Sequence, residues 1–561
     1  MSGFLSKEHI TANANFNRWL VPPAALAVHL SIGMAYGFSV FWKPLGSALK
    51  DASGEPLKAC AAGATTFSEK LSGTATALFA TDCNWTQFDL GWMYTLFFVL
   101  LGCSAAVWGG WLERAGPRKA GLVATLCWCG GLLISAYGVY SHQLWMMWLG
   151  SGVIGGIGLG LGYISPVSTL IKWFPDRRGM ATGMAIMGFG GGAMIGSPLA
   201  TKLMTYFSTP TSVGVWQTFV AMAIIYAAFM LCGSLGYRVP PLGWKPANWT
   251  PPAAKENVMI ATRHVHLKNA HKTPQFWLLW IVLCMNVSAG IGIIGAAAPM
   301  LQETFGGALV GQPEVGFDVV KQDAAMAAAV ASVGAGFVGL ISIFNIFGRF
   351  AWATSSDKLG RKRTYYIFFI LGAIMYCTAT YVAGFKSLAL FVASFCVIAS
   401  MYGGGFATIP AYLADMFGTQ FVGAIHGRLL TAWSTAGILG PVVVNYMHDT
   451  SLEAGVPFDQ IYGPIFLTLA GLLVVGFIAN MLVKPVADKY YMTDAELEAE
   501  HKLAHDKSIA ANASNGVAKV SGVATEANNH PVLTVLAWAL VLIPISYGVW
   551  STIQKTWVLF N

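Results

Sequence analysis

Long apolar stretches alternate with short polar ones along almost the whole chain. The apolar stretches lie near residues 19–42, 88–111, 120–140, 144–171, 179–201 and 216–236, then near 275–304, 323–353, 364–383, 387–413, 422–447 and 462–483, with a last one at 532–551. About 20 residues of α-helix cross the hydrocarbon core of a bilayer. Runs this long with few charges therefore read as spanning helices. Longer polar stretches interrupt the series at about 43–88, 237–274 and 485–531. The pattern predicts an all-α polytopic membrane protein. Six spans occupy residues 1–236, with an insert at about 43–88; a linker at 237–274 separates them from six more in 275–484. A second linker, 485–531, leads to a thirteenth span at 532–551. Within that linker Asp494 to His505 is a short acidic helix candidate, and the Ala/Ser/Asn/Gly-rich sequence after it reads as flexible.

Composition fits this picture. Hydrophobic residues make up 55% of the chain, charged residues only 10%, and mean hydropathy is +0.59. An ordinary soluble domain is about a quarter charged, so this surface belongs in a lipid bilayer. The first apolar run is too long for a signal peptide and has no small-residue cleavage site after it. The net charge of +8 is no nucleic-acid signal, because Lys and Arg sit in short loops between apolar runs. Those loops alternate in charge: Arg114, Arg118 and Lys119, then Lys172, Arg177 and Arg178, then Lys358, Arg361, Lys362 and Arg363 fall on one side, with the 237–274 linker. The opposite loop 448–461 carries Asp449, Glu453 and Asp459 and no cation. The positive-inside bias places the N-terminus in the cytoplasm. Seven of nine cysteines lie inside apolar runs. Cys60 and Cys83 fall in the insert, where an oxidising compartment would allow a disulfide and a reducing one would leave two thiols.

A loop motif recurs six spans apart. Residues 110–119 read Gly-Trp-Leu-Glu-Arg-Ala-Gly-Pro-Arg-Lys, and residues 355–363 read Ser-Ser-Asp-Lys-Leu-Gly-Arg-Lys-Arg. An acid at one helix end can cap the N-terminus of a neighbouring helix, while the Gly permits a tight turn. Such a clasp can hold one half against the other in one state and release it in the next. Glu113, Arg114, Arg118, Asp357, Arg361 and Lys362 are therefore candidate gating residues. With this repeat stand Gly-Tyr-Ile-Ser-Pro (162–166), Lys-Trp-Phe-Pro-Asp-Arg-Arg-Gly-Met-Ala-Thr-Gly (172–183), Gly-Phe-Gly-Gly-Gly-Ala (188–193), Tyr-Gly-Phe-Ser-Val-Phe (36–41), Asn345 to Arg363, and Tyr-Gly-Gly-Gly-Phe-Ala (402–407). On these residues, over about 18–484, the chain resembles the major facilitator superfamily. Within it, the likeness is to the oxalate:formate antiporter family, a relative of the monocarboxylate transporters. The resemblance implies two pseudo-symmetric six-helix bundles in the cell's inner membrane, with a binding site between them and alternating access. The insert and the thirteenth helix lie outside the family's minimal pattern.

A charged side chain in mid-membrane is costly and marks a functional site by default. Arg349 lies eight residues before Asp357, about 12 Å along a helix, and its planar fork suits a carboxylate. By resemblance it matches the arginine that binds the substrate carboxylate. Asn345 sits one turn earlier on the same face, where the monocarboxylate transporters carry an acid linked to proton coupling. The resemblance therefore favours anion exchange here, with proton symport as the alternative. Tyr36, Tyr163 and Tyr402 occupy family-matching positions, where their hydroxyls could donate to a small anion. Aligning Gly427 and the residues after it puts Trp433 where oxalate-specific members have a second cation, so a monoanion suits this chain better than oxalate. His426 and Arg428 read as residues of the cytoplasmic gate or partners of Asp415, with direct substrate contact as the alternative, and His29 as hydrogen-bonded inside the bundle, with titration near neutral pH as the alternative. The Gly runs lack the Gly-Lys-Ser/Thr ending of a nucleotide site, and no metal or cofactor site, nucleophile–base pair or signalling module emerges. The expectation is a carrier, not an enzyme, for formate-, oxalate-, lactate- or pyruvate-like carboxylates, able to work as a monomer. A transport-dead sensor and a membrane-embedded enzyme are the other classes considered.

Overall fold

A computed structural model describes residues 10–12, 16–51, 57–60, 66–209, 212–241, 244–246, 249, 259–384, 387–500, 502 and 531–556. The described residues contain thirteen helices long and apolar enough to cross a membrane. Six precede the linker: Arg18–Phe38, Phe88–Ala115, Pro117–Tyr140, Leu144–Trp173, Arg178–Phe207 and Val215–Gly236. Six follow it: Pro274–Leu309, Gly336–Leu359, Arg361–Tyr381, Leu388–Phe417, Val422–Leu452 and Phe458–Leu482; the last is Pro531–Gln554. The first six pack mainly on one another, as do the next six, which gives two pseudo-symmetric bundles plus one extra helix. Because backbone groups have no partners in hydrocarbon, only such internally bonded helices suit this depth.

The bundles meet along two matched seams, the fifth span against the eighth and the second against the eleventh. Both seams run on glycines four residues apart, the spacing that lets helix backbones approach. A Cβ on Gly179 would meet the Ala353 carbonyl oxygen at 2.0 Å, and one on Gly183 the Arg349 carbonyl oxygen at 2.8 Å. In the other seam, a Cβ on Gly423 would meet Glu113 Oε1 at 2.4 Å, and one on Gly427 the Ala105 carbonyl oxygen at 2.3 Å. One end of these seams, the basic end, carries Arg114, Lys172, Arg178, Lys358 and the linker.

Regular helix gives way where side chains must be aimed. The first span is α-helical over Val21–Ile32 and then tightens into a 3-10 run, Gly33–Phe41, which contains Tyr36. Gly33 lies so close to the fifth span that a Cβ would fall 2.2 Å from the Phe189 carbonyl oxygen. The fourth span, after an α-helical first turn at Leu144–Met147, passes through a π-helical stretch, Trp148–Gly155. The insert holds a helix the hydropathy pattern does not reveal, Phe67–Ala77, started by a capping box between Thr66 and Glu69. Cys60 and Cys83 are disulfide-bonded, with Cα atoms 4.9 Å apart. Beside them His142, at φ 52°, stacks 4.2 Å from Trp85 and hydrogen-bonds the Cys83 carbonyl, and burial lowers its pKa from the ordinary value.

The linker threads along the basic end. Ala261 and Val265 donate backbone hydrogen bonds to the Asp415 and Phe417 carbonyls, at 2.6 and 2.9 Å. The acidic helix candidate is helical to Glu500 behind a Thr493–Glu496 capping box. Its remainder at 501 and 503–505, the Ala/Ser/Asn/Gly-rich sequence to 530, and Lys255 and Glu256 of the first linker lie outside the described residues. The thirteenth helix runs against the first, fifth and eighth spans.

Candidate functional site

The eighth span projects Asn345 and Arg349 from one face, one turn apart, and both are buried. Arg349 Nε donates to Asn345 Oδ1 at 2.8 Å, and one terminal nitrogen donates to the Ile186 carbonyl of the opposite bundle at 3.3 Å. The other terminal nitrogen, Nη2, is buried without a hydrogen-bond partner. Among the described residues no carboxylate pairs with this guanidinium. Asn345 is itself anchored by donating to the Ala399 carbonyl at 3.3 Å. Glycine makes room for the pair: a Cβ on Gly190 would stand 3.0 Å from Asn345 Oδ1 and 3.2 Å from Arg349 Nε.

Aromatic rings from both halves wall the guanidinium in. Its carbon lies 5.8 Å from the Phe189 ring centroid and 5.6 Å from that of Phe406, within cation–π range. Phe189 and Phe406 in turn pack on Trp433, at 5.4 and 4.3 Å. The Tyr36 and Tyr402 hydroxyls hydrogen-bond each other across the halves at 3.1 Å. Tyr163 packs on Phe189 at 5.5 Å and on Trp433 at 5.2 Å. The structure thus brings together every residue expected at the substrate site. It divides the tyrosines: Tyr36 and Tyr402 satisfy each other, while the Tyr163 hydroxyl and the Trp433 indole nitrogen are buried without partners. His29 is held among backbone carbonyls of its own bundle, with Nε2 3.2 Å from the Tyr163 carbonyl oxygen and Nδ1 against that of Ala185.

Closer to the basic end a charged network crosses between the halves. Asp357 accepts hydrogen bonds from the Gly179 and Met180 backbone nitrogens at 2.9 and 3.1 Å, capping the N-terminus of the fifth span. Arg361 links Asp357 (2.5 Å) to Asp415 (3.0 Å), and Asp415 reaches the opposite bundle through Arg178 at 3.0 Å. Thr182 donates to the Ala407 carbonyl at 2.6 Å just above. In the matching seam Glu113 accepts from Ser168 (3.0 Å) and Lys172 (2.5 Å) beside Gly423. Arg178, Thr182 and Lys172 were not anticipated, although all three stand within the quoted motif at 172–183. Nothing in one sequence says which carboxylate each would meet.

Three expected gate residues act elsewhere. Arg118 donates to the Leu235 and Tyr237 carbonyls (3.0 and 3.4 Å), and Lys362, its counterpart in the repeat, to those of Met481 and Val483 (3.0 and 2.6 Å). Each thus covers the carboxyl end of the last span of its own bundle, where a cation meets the negative end of the helix dipole. Arg428 does not pair with Asp415, whose oxygens Arg178 and Arg361 already occupy. It donates to the Leu267 carbonyl at 2.7 Å and lies 3.0 Å from His271 Nδ1, tying the linker to the eleventh span. Arg114 is exposed. His426 faces neither Asp415 nor the linker but Tyr163, centroids 6.0 Å apart, and both its nitrogens are buried without partners.

The family model described as the Major Facilitator Superfamily matches residues 59–441 and 287–559. Curated relatives include an uncharacterized MFS-type transporter, YhjX, of Escherichia coli, 24% identical over 350 residues (62% of this chain and 77% of the relative). The oxalate:formate antiporter of Oxalobacter formigenes is 24% identical over 352 residues, 62% and 73% of the two chains. Apicoplast pyruvate carrier 1 of Toxoplasma gondii is 24% identical over 482 residues, 74% and 82%. Among solved structures, the proton:xylose symporter XylE superposes with a TM-score of 0.55 at 15% identity, covering 87% of this chain and 99% of its own. The transporter FucP superposes at 0.51 and 13%, covering 83% and 99%; these likenesses speak to fold alone.

Proposed function

The chain belongs to the Major Facilitator Superfamily, and on that premise we propose that it exchanges small carboxylates across the cell's inner membrane, with Arg349 as the anion anchor. The observation that carries this reading is the buried guanidinium with no carboxylate beside it. A buried charge without a counter-ion is expensive, and an incoming carboxylate supplies both the missing charge and an acceptor for Nη2. The names of the oxalate:formate antiporter and the pyruvate carrier among its relatives support the same substrate class.

The Arg349 bond to the Ile186 carbonyl ties the anchor to the opposite bundle. Recruiting the guanidinium to substrate changes what that bond contributes to the seam, a route from occupancy to rearrangement. With the N-terminus in the cytoplasm, the basic end is the cytoplasmic gate, closed here by Asp357, Arg361, Asp415 and Arg178. Asn345 cannot titrate, so it takes up no proton beside Arg349, which favours exchange over proton symport.

The test is counterflow of labelled formate, oxalate, lactate and pyruvate in proteoliposomes, for wild type and Arg349→Gln, with and without a pH gradient. Uptake driven by internal anion, insensitive to the gradient and abolished in the variant, is expected. Normal transport by Arg349→Gln removes the proposed anchor, and gradient-driven uptake replaces exchange with proton symport.

A further inference from the structure

Aligning the span prolines Pro166 and Pro410, and the seam pairs Gly179/Gly183 and Gly423/Gly427, makes His426 the counterpart of Thr182 and Tyr163 the counterpart of Ala407. Where the fifth span crosses the tenth, Thr182 donates to the Ala407 carbonyl at 2.6 Å. That crossing is closed and satisfied. Where the eleventh crosses the fourth, the equivalent place holds an imidazole against a phenol, 6.0 Å between centroids. Tyr163 is 0% exposed and His426 1%, yet the Tyr163 hydroxyl and both His426 nitrogens have no hydrogen-bond partner among the described residues. Two turns further along the eleventh span, Trp433 adds an unpartnered indole N–H, its ring 5.2 Å from that of Tyr163. Buried polar groups are normally satisfied. The other half shows that a threonine closes such a crossing, so structure alone does not call for these side chains.

This patch adjoins the arginine. Phe189 touches both Tyr163 (5.5 Å) and the Arg349 guanidinium (5.8 Å); Phe406 touches both Trp433 (4.3 Å) and the guanidinium (5.6 Å). Accepting the proposed carboxylate on Arg349, we infer that His426 is a specificity-determining residue that, with Tyr163 and Trp433, hydrogen-bonds a second oxygen of the substrate. The favoured substrates are then short monocarboxylates bearing a hydroxyl or carbonyl oxygen, in preference to unsubstituted acids of the same length. Imidazole can donate or accept, according to tautomer, and so fits either oxygen. A site built to hydrogen-bond such a group discriminates strongly against the analogue lacking it, because its own polar atoms are then left unpaired.

The experiment compares full-length wild type, His426→Leu and His426→Asn in proteoliposomes, with labelled lactate and pyruvate against labelled propionate. Wild type should prefer lactate and pyruvate. His426→Leu should raise their KM about tenfold or more relative to that of propionate, and a monodisperse size-exclusion profile with unchanged thermal stability in detergent shows that the variant is folded. His426→Asn, which keeps a donor and an acceptor, should recover part of the preference. A wild type without preference, or a His426→Leu variant whose lactate-to-propionate ratio is unaltered, overturns the inference while leaving the arginine anchor standing. A wild type that moves none of the three overturns the inference, and an Arg349→Gln variant that moves them all overturns the anchor itself.

Discussion

Asn345 fixes what Arg349 can do. It accepts from Nε, and so orients the guanidinium while leaving Nη2 unpartnered. Asn345→Asp would place a carboxylate at the same 2.8 Å contact. Beside a guanidinium the charged form of a carboxyl is favoured, so this carboxylate would compete with the substrate for Arg349. Formate counterflow by this variant should therefore be strongly reduced at neutral pH. Equal rates for wild type and Asn345→Asp would count against the Asn345–Arg349 pair as the binding unit. Arg349 was legible in the sequence because a charge in an apolar run is conspicuous, whereas Asn345, Trp433 and the three tyrosines were singled out chiefly by the family resemblance. The place of His426 was not legible. Four residues into its helix it reads as part of a gate, and only the crossing of the fourth and eleventh spans turns it toward Tyr163.

The repeated loops show what a duplicated sequence can and cannot reveal about helices. Their shared acid was legible, and Asp357 caps the neighbouring fifth span as a helix-end carboxylate can. Their basic residues looked equivalent along the chain, yet Pro117 stands where the other copy has Arg361, and Arg118 and Lys362 each cover a helix end within their own bundle. The partners were hidden because charge pairing is decided by how helices cross. Asp357→Asn keeps the shape of the cap but removes its charge and its pairing with Arg361. A helix cap contributes about 1 kcal/mol, and a charged one near a dipole somewhat more, so the population closed at the basic end should fall several-fold. A cysteine at Thr182, in a background lacking the free cysteines, reads this out. Its reaction with a membrane-impermeant maleimide from the basic side should accelerate when Asp357→Asn is added. An unchanged rate would mean that the glycine seams, not the clasp, keep this end shut.

Across the whole molecule, hydropathy located the thirteenth helix, but nothing in its uniformly apolar sequence says which spans it touches. The structure lays it over the join between the bundles. Near the basic end Trp538 donates to the Trp19 carbonyl at 3.1 Å; toward the other end Tyr547 accepts from Lys202 at 3.1 Å. Gly548 lies against Met194 and Ile195 of the fifth span, where a Cβ would come within 2.9 Å, and Thr552 lies against Gly339 of the eighth. All but the last of these contacts belong to the first bundle. Alternating access moves one bundle against the other, so the helix should travel with the first, which it meets through two spans, and slide along the eighth span, Thr552 included. Two cysteine pairs separate these contacts. Ile195→Cys with Gly548→Cys, once oxidised, joins the helix to the bundle it rides with and should leave counterflow unchanged. Gly339→Cys with Thr552→Cys joins it to the other bundle and should arrest counterflow until reduced. If both cross-links are tolerated, the contact at Gly339 survives the transport cycle and the helix moves with neither bundle alone; if both arrest flux, it slides on the first bundle as well.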